Sequence, residues 1–206
     1  MFRRVSKQLT AMLKRKAFLH WYTIERMNEI VCKKGAASVL DTDGDQVLNS
    51  GGAYYLVPVS NSGSLGLAAI GNDSIPKSVV LDTSLAKGLP VRFGTPILLP
   101  WVNDGMLVHI LFISIPEIPA WEVFAEFPIG WTVKVTKSPT SFRGPFALYP
   151  VKTGYKIVYY PDEGDTGYDI GIINNGGHYR LAVKDGDPFI FKIKKAFEPS
   201  IRISKV

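Results

Sequence analysis

Tyr54-Tyr55-Leu56-Val57, Leu107-Val108-His109-Ile110 and Tyr155-Lys156-Ile157-Val158 open three like units at offsets of 53 and 48 residues. A second series keeps the same register: Val79-Val80-Leu81, Val133-Lys134-Val135 and Leu181-Ala182-Val183 follow at offsets of 54 and 48. A third lies near Val91-Arg92-Phe93, Phe146-Ala147-Leu148 and Phe189-Ile190-Phe191. These runs are short, rich in β-branched and aromatic residues, and bounded by Gly, Pro, Asn and Asp, which is strand and turn chemistry. Self-similarity of this kind marks three units of about fifty residues, each with about four strands. Twelve strands in three pseudo-equivalent units predict an all-β fold, a β-trefoil, in which a closed six-stranded barrel is capped by three hairpins. Closure removes most exposed strand edges and needs no disulfide when the core is large.

The 206 residues are 46% hydrophobic and 20% charged, enough for one globular domain with a substantial core. The formal charge of +6 is unevenly spread. Residues 1–35 hold nine Lys/Arg and two Glu, leaving fifteen Lys/Arg against sixteen Asp/Glu in residues 36–206. No basic field belongs to the body, so a nucleic-acid partner is not expected. No run reaches the length needed to span a bilayer, and the N-terminus lacks the pattern of a secretory signal. Cys32 is the sole cysteine, so no intrachain disulfide forms, and the expected monomer has one route to a covalent dimer.

The boundary is expected near residue 35. Phe2, Val5, Leu9, Met12 and Leu13 recur at helical spacing, with Arg3, Arg4, Lys7, Lys14 and Arg15 mostly off that face. Residues 2–16 therefore read as a basic amphipathic helix, a form shared by targeting peptides and membrane-surface helices. The string from Met1 to Thr23, MFRRVSKQLTAMLKRKAFLHWYT, resembles a stretch near the C-terminal end of β-tubulin. None of the tubulin nucleotide motifs accompanies it, so residues 1–35 read as a fused appendage and residues 36–206 as the domain.

Within that domain Thr95-Pro96-Ile97-Leu98-Leu99-Pro100-Trp101 carries no charge and no alternation. A proline near each end keeps it out of a central strand and restricts Thr95 and Leu99 to extended conformations. A stiff, extended, apolar segment followed by the turn Asn103-Asp104-Gly105 suits either a buried connection or a loop that docks with little loss of entropy.

Val39-Leu40-Asp41-Thr42-Asp43-Gly44-Asp45-Gln46-Val47, with Gly51-Gly52-Ala53-Tyr54-Tyr55-Leu56-Val57-Pro58, resembles the opening signature of the plant Kunitz inhibitors of the soybean trypsin inhibitor type. Gly71-Asn72, Lys87-Gly88, Trp121-Glu122-Val123, Tyr155-Lys156-Ile157-Val158-Tyr159-Tyr160-Pro161 and Asp169-Ile170-Gly171-Ile172 extend the resemblance over about residues 38–196. It implies a β-trefoil that blocks proteases with one exposed loop, and puts that loop at Thr95–Trp101 with the reactive bond at Leu98–Leu99. It also implies that Asn49 supports the loop through its side chain, with Ser50 inserted just after it. The family usually carries two disulfides; Ile75, Pro116, Tyr160 and Gly167 stand near the cysteine positions, as in a disulfide-poor subset of legume inhibitors. A secreted or vacuolar location follows from the resemblance alone.

Other constellations do not hold together. Asp41-Thr42-Asp43-Gly44-Asp45 lacks the glycine and glutamate positions of an EF-hand and reads as a solvated turn. His20, His109 and His178 have no zinc spacing, and no Gly-x-Ser-x-Gly elbow is present. Asp162-Glu163-Gly164-Asp165 reads as a solvated acidic loop, and Asn72-Asp73-Ser74 as a glycosylation sequon. No enzyme, metal or cofactor is expected. The expected activity is inhibition of chymotrypsin-like or elastase-like serine proteases with Leu98 in the primary pocket. Two alternatives stand beside it: inhibition of papain-like cysteine proteases, and a non-inhibitory carbohydrate-binding or storage trefoil, which Pro100 favours because it lacks the N–H a docked protease would bond.

Overall fold

The computed structural model describes residues 36–60, 63–71, 73, 75, 77–95, 99–115, 119–137, 145–161 and 166–196. The basic helix over 2–16, the tubulin-like stretch, His20, Cys32, Asn72, Pro116 and the acidic loop at 162–165 lie outside them. All described strands belong to one compact unit within Ala37–Val206.

The first unit contributes β1 (Tyr54–Pro58), β2 (Ser64–Ala68), β3 (Ser78–Asp82) and β4 (Val91–Gly94). The second contributes β5 (Leu107–Phe112), β6 (Ala120–Glu126), β7 (Gly130–Thr136) and β8 (Phe146–Val151), and the third β9 (Gly154–Tyr159), β10 (Tyr168–Asn175), β11 (His178–Val183) and β12 (Ile190–Lys195). Antiparallel pairing runs β1–β4–β5–β8–β9–β12 and returns to β1, so six strands close on themselves. The remaining strands form hairpins β2–β3, β6–β7 and β10–β11, whose second strands pair with one another across the end of the ring. This is the β-trefoil that the three repeats predict.

Register shows the repeats as geometry. Leu65 pairs with Leu81, Trp121 with Val135 and Ile170 with Val183, so the three positions are equivalent, and all three side chains are buried. The Trp121 ring lies 5.5 Å from Phe112 and 6.3 Å from Phe146, joining a hairpin to the barrel. Below them Tyr54, Phe93, Ile110, Leu148, Ile157 and Phe191 fill the barrel in one continuous apolar cluster. At Tyr160 and Gly167, near two of the family's cysteine positions, aromatic packing stands instead. A Cβ on Gly167 would lie 2.8 Å from the Tyr160 ring, so only glycine admits that ring. The Tyr160 hydroxyl meets that of Tyr149 at 2.8 Å, and burial, then this bond, hold the Tyr160 phenol above its usual range.

β1 runs toward the hairpins and β4 runs back from them. The connection from β4 to β5, residues 95–106, therefore emerges at the opposite end of the barrel, and the segment singled out from sequence lies within it.

Candidate functional site

Residues 38–53 build the floor beneath that connection. Isolated bridges pair Ser38 with Asn103, Leu40 with Gln46 and Leu48 with Trp101. Val39, Val47 and Val102 are buried, while the Asp41 carboxylate accepts hydrogen bonds from the Asp43 and Asp45 amides at 2.9 and 3.0 Å. Asp41 itself is buried, which corrects the reading of 41–45 as a solvated turn. Its carboxylate closes an Asx turn from inside, and the solvated part is residues 42–45. This tight turn brings the chain back beneath residues 99–103.

Asn49 sits where the chain crosses between the two flanks of the segment. Its side-chain Nδ2 donates to the Leu99 carbonyl at 2.8 Å, and its Oδ1 accepts from the Thr95 amide at 3.0 Å. An asparagine amide donates and accepts at once, so one side chain ties both flanks. The backbone repeats the pattern. The Asn49 amide donates to the Pro100 carbonyl at 2.9 Å and the Ser50 amide to the Phe93 carbonyl at 2.8 Å. Pro100 thus lacks a donor but contributes its acceptor to the floor. Leu99 leans on the core, Thr95 is buried, Pro100 is exposed and Trp101 is partly exposed. Pro96, Ile97 and Leu98 lie outside the described residues.

The sequence names Ser50, Gly52 and Tyr54 without showing what they do in this floor. Ser50 adopts a φ of 58°, the left-handed region that non-glycine residues seldom occupy, and its hydroxyl donates to Asn49 Oδ1 at 3.2 Å. The apparent insertion is the turn that aims Asn49. Gly52, with φ 67°, is required because a Cβ there would lie 2.8 Å from the Tyr54 hydroxyl, which accepts a bond from the Leu48 amide at 3.0 Å. A Gly-Gly pair ahead of a buried tyrosine is a weak signal, and the contact links residues that sequence alone does not bring together.

A second assembly occupies the hairpin end. Ser78, Thr132 and Arg180 stand at equivalent positions, 54 and 48 residues apart, and all are buried on the axis that relates the three units. The Arg180 Nη2 donates to both hydroxyls at 3.1 Å and pairs with Glu126. Glu126 also accepts from Thr132 Oγ1 and pairs with Lys134, each at 2.6 Å, and Lys134 reaches Asp73 at 3.0 Å. Burial disfavours ionisation of Glu126, but bonds from Lys134, Thr132 and Arg180 outweigh it and hold the carboxyl down to about 2.

The barrel, the hairpin cap and the braced connection between β4 and β5 can be compared with known proteins. A family model described as trypsin and protease inhibitor matches residues 39–195. The chain belongs to the legume Kunitz family. It is 49% identical over 160 residues to the Kunitz-type trypsin inhibitor BrTI of Bauhinia rufa, covering 77% of this chain and 97% of that one. Its structure resembles the Bauhinia bauhinioides inhibitor BBKI solved in complex with bovine trypsin, at 45% identity and a TM-score of 0.73, covering 79% of this chain and 100% of the other. The Bauhinia bauhinioides cruzipain inhibitor BbCI matches at 46% identity and a TM-score of 0.73, over 78% and 99% of the two chains. As a Kunitz-type inhibitor the domain blocks proteases and is not itself an enzyme.

Proposed function

We propose that this Kunitz domain inhibits serine proteases through Thr95–Trp101, with Leu98 entering the primary pocket and Leu98–Leu99 as the reactive bond. The observation that supports the reading is the Asn49 side chain bonded to both Thr95 and Leu99, the residues that flank 96–98. Held on both sides, the segment loses little entropy on docking, and after a cut its ends stay in place for resealing. Leucine is apolar and uncharged. A hydrophobic pocket of the chymotrypsin or elastase kind accepts it, whereas a pocket with a buried carboxylate is left with an unpaired charge. One monomer serves one enzyme. The trypsin and cruzipain inhibitors among its relatives make trypsin and papain the necessary comparison enzymes.

Titration of the purified protein against chymotrypsin, elastase, trypsin and papain tests the assignment. Chymotrypsin or elastase is expected to be bound tightest. Leu98→Arg should weaken that binding and improve trypsin binding, because the guanidinium pairs with the carboxylate of the trypsin pocket. Leu98→Gly should cost about 2–4 kcal/mol with every serine protease. Affinity indifferent to both substitutions would remove Leu98 from the contact.

A further inference from the structure

We propose that the cavity over the Arg180 cluster is a second binding site, for a neutral carbohydrate, at the barrel end opposite the braced loop. The cavity encloses about 660 Å³ and draws on all three units: Gly71 and Asp73 from the first, Glu126, Phe127 and Lys134 from the second, Asn175, Gly176 and Arg180 from the third. Its charges are balanced, two carboxylates against a guanidinium and an ammonium already paired with them. An added anion meets Asp73 and Glu126, and an added cation meets Arg180 and Lys134, so neither gains a free counter-charge. A neutral polyol meets no such conflict. Each ionised carboxylate has more lone pairs than its present bonds use, and the Asn175 amide carries both donor and acceptor, so sugar hydroxyls find partners of both kinds.

Shape and apolar surface agree with that chemistry. Phe127 is 100% exposed on the rim, and Ile70 and Ile129 also line the cavity. An aromatic face left wholly in water at the edge of a polar cavity suits the C–H face of a sugar ring. Gly71 and Gly176 have φ of 67° and 60°, and nothing lies within 4 Å of where a Cβ on either would stand, so a ligand reaches their backbone unhindered. Arg180 lines the same cavity with its Nη2 already held by Ser78, Thr132 and Glu126, so the polar wall is fixed before a ligand arrives.

Isothermal titration of the full chain with the methyl glycosides of mannose, galactose and glucose and with N-acetylglucosamine tests the site, with acetate and methylammonium as charged probes. At least one saccharide is expected to bind at millimolar concentration. Asp73→Asn and Phe127→Ala should each weaken it about tenfold, the loss of one good hydrogen bond or one stacking contact. Phe127 is fully exposed, so its replacement leaves the melting temperature unchanged and keeps the test valid if Asp73→Asn unfolds. Protease inhibition by Phe127→Ala, and saccharide binding by Leu98→Gly, should match the parent, which separates this site from the loop. Absence of binding by every saccharide, binding that survives both substitutions, or binding of acetate or methylammonium in preference to saccharides would overturn the proposal.

Discussion

At the β4–β5 end of the barrel one neutral amide, Asn49, bonds both flanks of the loop, whereas at the hairpin end three charged side chains, Asp73, Glu126 and Lys134, meet beside the buried Arg180 guanidinium. The contrast follows from what each end holds. A loop that must keep one shape needs directional bonds that survive changes of pH and salt, and amide bonds to backbone meet that need. The hairpin end had a different difficulty, a guanidinium on the axis at a position where the other two units supply hydroxyls. Arg180 there has to be neutralised, and Glu126 with Thr132 and Ser78 does so. One end is therefore expected to control inhibition, the other stability and its dependence on pH.

The largest effect should come from separating those roles. Glu126→Ala leaves Arg180 buried without its carboxylate and should cost about 3–5 kcal/mol of stability. For a domain of this size that lowers the melting temperature by roughly 2–4 °C per kcal/mol. The inhibition constant of the protein that remains folded should not move. Loss of inhibition in proportion to lost stability would show that the two ends are coupled.

Acid should reproduce a part of this effect. Glu126 titrates at about 2 in the folded protein against 4.5 ordinarily, so its contribution is fully present above pH 4.5 and is lost as pH falls toward 2. Roughly 2–3 kcal/mol should disappear across that window, a figure reduced by the 22% exposure of the side chain. Burial works against the Lys134 charge, but its bonds to Glu126 and Asp73 raise its pKa above 10.5, so its share is present below pH 10.5 and fades above it. Denaturant midpoints measured from pH 2 to 6 check the acid limb, and a Glu126→Gln protein with the same acid profile would reject Glu126 as its source.

Asn49→Ala should act at the other end and more gently, with affinity falling by about 1–2 kcal/mol as two bonds to the loop flanks are lost. The clearer change is faster cleavage at Leu98–Leu99 on incubation with chymotrypsin, followed by mass spectrometry. The acid profile of stability should be unaltered.

These two ends were not equally legible in the sequence. The offsets of 53–54 and 48 residues located all three units, because short apolar runs at a fixed period require repeated strands. Asn49 lies 46 and 50 residues from its partners, so only the family pattern pointed to it, and Leu98 stays with that pattern. Arg180 was not found at all. It sits between Tyr179 and Leu181, and strand alternation read from the apolar Leu181 puts both neighbours on the inward face and Arg180 on the outward one. Where the hairpin strands meet, both faces are covered: Ser78, Val79, Val80 and Leu81 of β3, and Arg180, Leu181 and Ala182 of β11, are buried in succession. The available signal was register, since the repeat offsets align Arg180 with Thr132 and Ser78, but sequence does not say that those positions meet on an axis.

The smallest effect, and the finest test of the loop floor, concerns Ser50. Its φ of 58° costs a non-glycine residue about 1 kcal/mol, which Ser50→Gly relieves. Glycine adds freedom to the unfolded chain, worth about 0.5–1 kcal/mol in the opposite sense, and removes the hydroxyl bond to Asn49 Oδ1. The terms nearly cancel, so the melting temperature of Ser50→Gly should stay close to the parent. Ser50→Ala keeps the strain and loses the bond, and should be the less stable of the two by several tenths of a kcal/mol. Both leave Asn49 with its bonds to Thr95 and Leu99, so cleavage at Leu98–Leu99 should quicken far less than in Asn49→Ala. If Ser50→Gly instead matched Asn49→Ala in cleavage rate, the Ser50 side chain that buttresses Asn49, rather than the asparagine amide alone, would be what holds the loop.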